Sequence, residues 1–239
     1  MNKPGSEATR IVLVRHGETE WNLMQRFRGR VDIPLNQMER FRGRIDIPLN
    51  QTGHAQARAA AQRLASWPVE AVYSSPLKRA LDTAQPIAAA CGLEVAVLDS
   101  LVDVDYGDWA GLSPEEAETR DPDLFATWRD DPHLARFPHG ESLEQVRQRS
   151  WSAIEGLCAT HPGKTLVLVS HVVVNRVIIC AALGLGGDGF WRIGQDNAAI
   201  SVLEALPGRY RLQVLNDTGH LEDIVLDAEI PGSEDPTSS

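Results

Sequence analysis

The chain has 239 residues, 43% hydrophobic and 23% charged, which suits one globular domain with an ample core. Asp and Glu number 33 against 23 Lys and Arg, a formal net charge of -10, so the broad basic footprint of a nucleic-acid or anionic-membrane binder is excluded. Three cysteines (Cys91, Cys158, Cys180) without CxxC spacing exclude a disulfide framework or zinc cage; reduced core thiols in a cytoplasmic protein are expected.

In chain order, the polar stretch Met1–Arg10 carries no signal-peptide pattern. Ile11–Val14 is a short apolar run, a buried strand that leads into the polar loop Arg15-His16-Gly17-Glu18-Thr19. Thr52–Trp67 is Ala-rich with helical spacing, and Val69–Tyr73 is a second strand. Ser74-Ser75-Pro76 predicts a cap and a first-turn proline for the next helix, which bends at Pro86 and stops at Gly92. Glu94–Leu98 gives a third strand, and Ser113-Pro114-Glu115-Glu116 has capping-box spacing. Ser142–His161 is a long amphipathic helix, Thr165–Val169 a fourth strand and Val172–Leu183 a helix. The stretch Thr165–Leu183 is the most apolar, but Ser170, His171, Asn175 and Arg176 make it too polar to span a bilayer. Ile200–Ala205 and Tyr210–Leu215 flank a Pro-Gly turn as a hairpin. The alternation predicts an α/β fold: a mainly parallel sheet with helices on both faces, and room for an antiparallel edge strand.

Residues 24–37 and 38–51 match at 12 of 14 positions, a tandem duplication. Two copies make no solenoid, which needs at least three stacked units. A duplicated loop without new function is the plain expectation.

Ligands of parallel α/β sheets bind at the carboxyl ends of the strands. Three strands here end in reactive groups: Arg15-His16-Gly17, Ser170-His171, and Ser74-Ser75-Pro76 leading to Arg79. A neutral imidazole can attack phosphorus, and guanidiniums hold a phosphate dianion bidentately without a metal. Asp103, behind the third strand, is the candidate proton donor, since a dianion beside it raises its pKa. Asp105 is the rival, two residues on and on the same side of an extended segment. Each piece alone is weak, because a single His behind a strand is more often a core residue. Their coincidence at three strand ends is harder to dismiss.

These motifs resemble the histidine phosphatase superfamily, also called phosphoglycerate mutase-like, from Ile11 to about Leu221. The resemblance rests on Arg15-His16-Gly17-Glu18-Thr19 with Trp21-Asn22, Arg26-Phe27-Arg28-Gly29, Thr52-Gly53, Ser74-Ser75-Pro76-Leu77-Lys78-Arg79-Ala80, Gly107-Asp108-Trp109, Gly140-Glu141-Ser142 and Ser170-His171. It implies that His16 is the phosphorylated nucleophile, that Arg15, Asn22, Arg79 and His171 form the phosphate pocket, and that Asp103 is the proton donor. The family more often has Glu there, and usually Gly where this chain has Val172, a change of the pocket wall. The duplication falls in the family's substrate-facing loop. The first copy keeps the spacing to His16 and is favoured for the pocket, with Arg28 near the substrate. Met38–Gln51 then forms an extra flap carrying Arg40, Arg42 and Arg44.

Gly111–Gly140 is short beside the insertion of the family's mutases, so hydrolysis of a small phosphorylated metabolite through a phosphohistidine is expected over transfer. The C-terminal part looks like that of the metal-independent phosphoserine phosphatases. That branch has His where this chain has Tyr106, which counts against phosphoserine; His220 is a further candidate for the substrate pocket. Cofactor-dependent phosphoglycerate mutase and a catalytically idle phosphate-binding module are the alternatives. No cofactor or metal is expected, and no partner beyond the metabolite, with a homodimer left open. The expected organisation is one domain over 1–230 with a small helical cap around 112–140, and a disordered acidic tail at 231–239. Charge is uneven: residues 222–239 hold six acids and no base, whereas residues 24–51 hold six Arg against three acids, a local +3 beside the expected pocket.

Overall fold

A computed structural model describes residues 8–23, 40–222 and 224. Six strands form one sheet in the order β3-β2-β4-β1-β5-β6. They are β1 (Thr9–Arg15), β2 (Val69–Ser74), β3 (Val95–Val97), β4 (Thr165–Ser170), β5 (Ile200–Leu206) and β6 (Arg209–Asp217). β3, β2, β4 and β1 run parallel, whereas β5 is antiparallel to β1 and β6 antiparallel to β5. The expected antiparallel edge is thus a two-stranded hairpin.

Central strands are buried on both faces and read as unbroken apolar runs. Ile11, Leu13, Leu166 and Leu168 face one cluster with Val146, Ile154, Val174 and Ile178, which come from α6 (Leu143–Thr160) and α7 (Val172–Leu183). Val12, Val14, Val167 and Val169 face the other cluster with Ala60, Leu64, Ala84 and Ile87, from α2 (Gln51–Leu64) and α3 (Lys78–Ala90). A short α1 (Glu20–Leu23) follows the first loop. α4 (Pro114–Arg120) and α5 (Pro122–Asp130) occupy the connection from the third strand to α6. Ser113 and Ser142 cap α4 and α6 through reciprocal capping boxes with Glu116 and Gln145. Among the described residues no helix is long and apolar enough to cross a membrane.

The expected cap of α3 is corrected. α3 starts at Lys78 with Leu77 at its N-cap and no side-chain cap from its own chain neighbours. Ser75 turns instead to His171, with 2.7 Å between its Oγ and Nε2. The Lys78 N–H is satisfied from a distance, by Asp46 Oδ1 at 2.8 Å. Pro86 lies inside α3, which continues to Ala90.

Candidate active site

The β1–β4 register sets Arg15 opposite Ser170. His16 and His171 therefore leave the sheet side by side, and the His16 N–H donates to the Ser170 carbonyl at 2.9 Å. Their ring centroids are 5.3 Å apart. The His16 loop is held by close backbone packing: a Cβ on Gly17 would stand 2.5 Å from the Gly53 carbonyl oxygen, and one on Gly53 would stand 2.0 Å from that of Glu18. The Gly17 N–H donates to Thr83 Oγ1 at 3.0 Å, which ties the loop to α3.

His16 is 2% exposed and His171 fully buried. His16 Nδ1 donates to the Gly17 carbonyl at 2.7 Å, so Nε2 keeps its lone pair. Burial, then the charge of Arg79, holds both imidazoles well below the ordinary histidine range, with Arg15 and Arg42 adding to the effect. Both rings are neutral at physiological pH.

Arg15 and Arg79 are buried at the same edge. Arg15 Nη1 donates to the Gln195 carbonyl at 2.7 Å. Arg79 Nη2 lies 3.1 Å from Asp103 Oδ2, which is in turn 3.7 Å from His171 Nδ1. Asp103 Oδ1 accepts the Val104 N–H at 2.9 Å. Burial raises the Asp103 pKa above the ordinary carboxylate value, with Arg79 acting in the opposite sense. Asp105 is elsewhere: its Oδ1 accepts the Gly107 N–H at 2.9 Å and its Oδ2 is 3.3 Å from Arg44.

Of the remaining residues singled out in the sequence, Asn22 is buried and accepts from the Thr19 N–H and hydroxyl at 3.0 and 2.9 Å. Val172 opens α7 and packs on the apolar core. Tyr106 packs edge-on against Phe41, Trp128 and Phe137. His220 donates from Nε2 to the Ala198 carbonyl at 3.1 Å, and the Ala198 N–H donates to that of His16 at 3.2 Å. His220 thus sits one residue from the histidine loop. Arg28 and the first copy of the repeat lie outside the described residues.

The expectation for the second copy is corrected: it is no flap. Phe41 is 1% exposed, edge-on against Trp109 at 4.8 Å. Arg42 is 4% exposed and close enough to depress both imidazoles. The Gly43 and Ile45 carbonyls accept from Arg79 at 2.7 and 2.9 Å. Asn50 donates to Glu18 Oε1 at 3.0 Å and caps α2 through the Gly53 N–H at 2.7 Å. The physical reason is continuity, since the second copy runs directly into α2 and brings the cap with it. Of the site neighbours, Ser75 is expected from sequence only as a helix cap, Arg42 only as part of the flap, and Gln195 not at all. The Arg-rich repeat was the available signal for Arg42; nothing in the pattern marked Gln195.

The edge therefore offers a neutral imidazole with a fixed tautomer, buried guanidiniums, a second imidazole and one buried carboxyl group of raised proton affinity. Among the described residues no group of three or more His, Cys, Asp or Glu could hold a metal ion.

Comparison with known proteins finds relatives along nearly the whole chain. Phosphoserine phosphatase 1 of Hydrogenobacter thermophilus is 36% identical over 219 residues, covering 92% of this chain and 97% of the relative. The metal-independent phosphoserine phosphatase of Arabidopsis thaliana is 33% identical, covering 93% and 87%. A mutant phosphoserine phosphatase of Entamoeba histolytica, solved in complex with phosphoserine, superposes with a TM-score of 0.76 at 28% identity, covering 89% of this chain and 99% of that one. The family model for the histidine phosphatase superfamily (branch 1) matches residues 11–40 and 36–218, two stretches that meet inside the repeat. Nearly the whole chain is accounted for on both sides of the duplication, and it belongs to the histidine phosphatase superfamily, branch 1.

Proposed function

We propose that the chain is a metal-independent phosphomonoesterase that hydrolyses a small phosphorylated metabolite through a phosphohistidine on His16. The carrying observation is the neutral His16 imidazole, tautomer fixed by Gly17, among buried guanidiniums. In the first half-reaction Nε2 attacks phosphorus, the N–P bond forms and the ester O–P bond breaks. Asp103 gives its proton to the departing oxygen, while Arg15, Arg79 and His171 stabilise the charge spread over the phosphoryl oxygens. In the second, water attacks phosphorus, its proton returns to Asp103 and the N–P bond breaks. Arginine supplies the positive charge that a metal would otherwise bring. Asn22 steadies the loop, and Val172, Tyr106 and His220 shape the surroundings in which a substrate is recognised. The phosphoserine phosphatases among its relatives make phosphoserine the first substrate to try.

The test is hydrolysis of p-nitrophenyl phosphate in EDTA by the wild type and His16→Ala. Wild-type turnover is expected to persist, with a loss on the order of a thousandfold or more in the variant. Equal rates would sink the proposal. Release of inorganic phosphate from phosphoserine with no acceptor present separates hydrolysis from mutase transfer.

A further inference from the structure

The segment that carries Asp103 belongs to no strand: β3 ends at Val97 and only a 3-10 turn over Asp99–Leu101 intervenes. Three of its carbonyls converge on one side chain. Arg149, in the second turn of α6, donates from Nη1 to the Ser100 and Val102 carbonyls at 2.8 and 2.7 Å. Nη2 donates to the Asp103 carbonyl at 3.2 Å and to Glu141 Oε2 at 3.0 Å, and Nε donates to Glu141 Oε1 at 3.0 Å. A guanidinium has five N–H donors, and all five are engaged. Glu141 Oε2 also accepts the Asp105 N–H at 3.1 Å, and the Glu141 N–H donates to the Asp105 carbonyl at 2.8 Å. Arg44 of the repeat reaches the same knot, 3.1 Å from Glu141 Oε1 and 3.4 Å from the Asp103 carbonyl.

We propose that Arg149 is a positioning residue for proton donation: by holding the carbonyls of residues 100, 102 and 103 in one fork, it sets where the Asp103 carboxyl stands relative to Arg79 and His171. The inference rests on the phosphatase reading above, with Asp103 as the acid. Arg149 acts through the backbone and contacts no reacting atom. Lysine keeps the charge but offers three donors from one nitrogen, so it cannot span three carbonyls and a carboxylate.

A proton donor matters most when the leaving oxygen is basic. An alkyl phosphate needs the proton, whereas p-nitrophenolate departs with little help. The experiment measures kcat/KM for a series of phosphomonoesters of graded leaving-group acidity, with wild type, Arg149→Lys and Arg149→Gln. The expected result is a loss on the order of ten- to a hundredfold for alkyl phosphates in both variants, only a few-fold loss for p-nitrophenyl phosphate, and a steeper dependence on leaving-group pKa. A uniform loss across the series, or none, overturns the proposal, and so does full rescue by lysine. Should Arg149→Gln fail to fold, Glu141→Gln frees one side of the fork and carries the same comparison. A wild type inert toward the whole series would reject the phosphatase reading itself.

Discussion

At the scale of single residues, two aspartates separated by one valine stand in different surroundings. Asp103 is 6% exposed and lies between Arg79 and His171, while Asp105 stabilises a turn and meets Arg44. Asp103→Asn is expected to lower kcat/KM for alkyl phosphates by about a hundredfold or more. Asp105→Asn should cost only a few-fold there, together with about 1 kcal/mol of stability from the weakened turn. Steady-state kinetics and denaturant titration of the two variants check this, and the reverse ranking would make Asp105 the acid. The sequence could nominate both, because residues two apart in an extended segment share a side. What separates their surroundings is Arg79, which reaches in from α3 to within 3.1 Å of Asp103. The histidines were more legible, since each stands one polar residue past a buried apolar run.

At the scale of elements, the six strands followed from short runs rich in apolar residues and the long helices from their spacing and apolar content, whereas the short α1 and α5 were not foreseen as separate helices. What escaped was long-range supply of hydrogen bonds. The sequence Ser74-Ser75-Pro76 has the form of a helix cap, yet Ser75 faces His171 and Asp46 of the repeat takes the Lys78 N–H. Local propensity cannot foresee a partner 32 residues away in the chain. The repeat makes the same point, because two segments of nearly identical sequence carry no local signal for which one fills a seat. In the seated copy, groups that make contacts include the side chains of Arg40, Phe41, Arg42, Arg44, Asp46 and Asn50 and the carbonyls of Gly43 and Ile45. The first copy has the same side chains at Arg26, Phe27, Arg28, Arg30, Asp32 and Asn36, and its two differences are Gln25 for Glu39 and Val31 for Ile45. Deleting 24–37 and deleting 38–51 therefore leave almost the same chain. Both deletions are expected to fold and to keep kcat/KM within about threefold of each other. Loss of activity in only one would show that Gln25/Glu39 or Val31/Ile45 matters far more than these contacts imply, since a Val–Ile exchange is worth about 0.5–1.5 kcal/mol.

At the scale of the whole molecule, the site is a charge on the fold's stability. His16 and His171 are neutral in the folded protein because burial and then Arg79 disfavour the imidazolium. Each titrates near roughly 6.5 in the unfolded chain, so below that pH the unfolded state binds more protons and stability falls as pH drops toward the lowered folded-state values. Each histidine contributes a slope of at most about 1.4 kcal/mol per pH unit. The denaturation midpoint is expected to fall between about pH 7 and pH 5, and the double variant His16→Gln, His171→Gln should show a flatter dependence. An unchanged slope would assign the acid sensitivity to other groups. The net charge of -10 is likewise a property of the whole chain and not of the site, where buried guanidiniums surround the two imidazoles.

The aromatic nest that receives Phe41 has an optical consequence. Trp109 and Trp128 are 1% and 0% exposed, and Phe41 sits 4.8 and 6.5 Å from their rings. The other four tryptophans are more exposed. Displacement of the 40–50 segment would open this pair to water and move its emission to longer wavelength, while the far sheet edge stayed unchanged. Tryptophan fluorescence is thus a built-in gauge of whether the repeat is docked, readable without label or substrate.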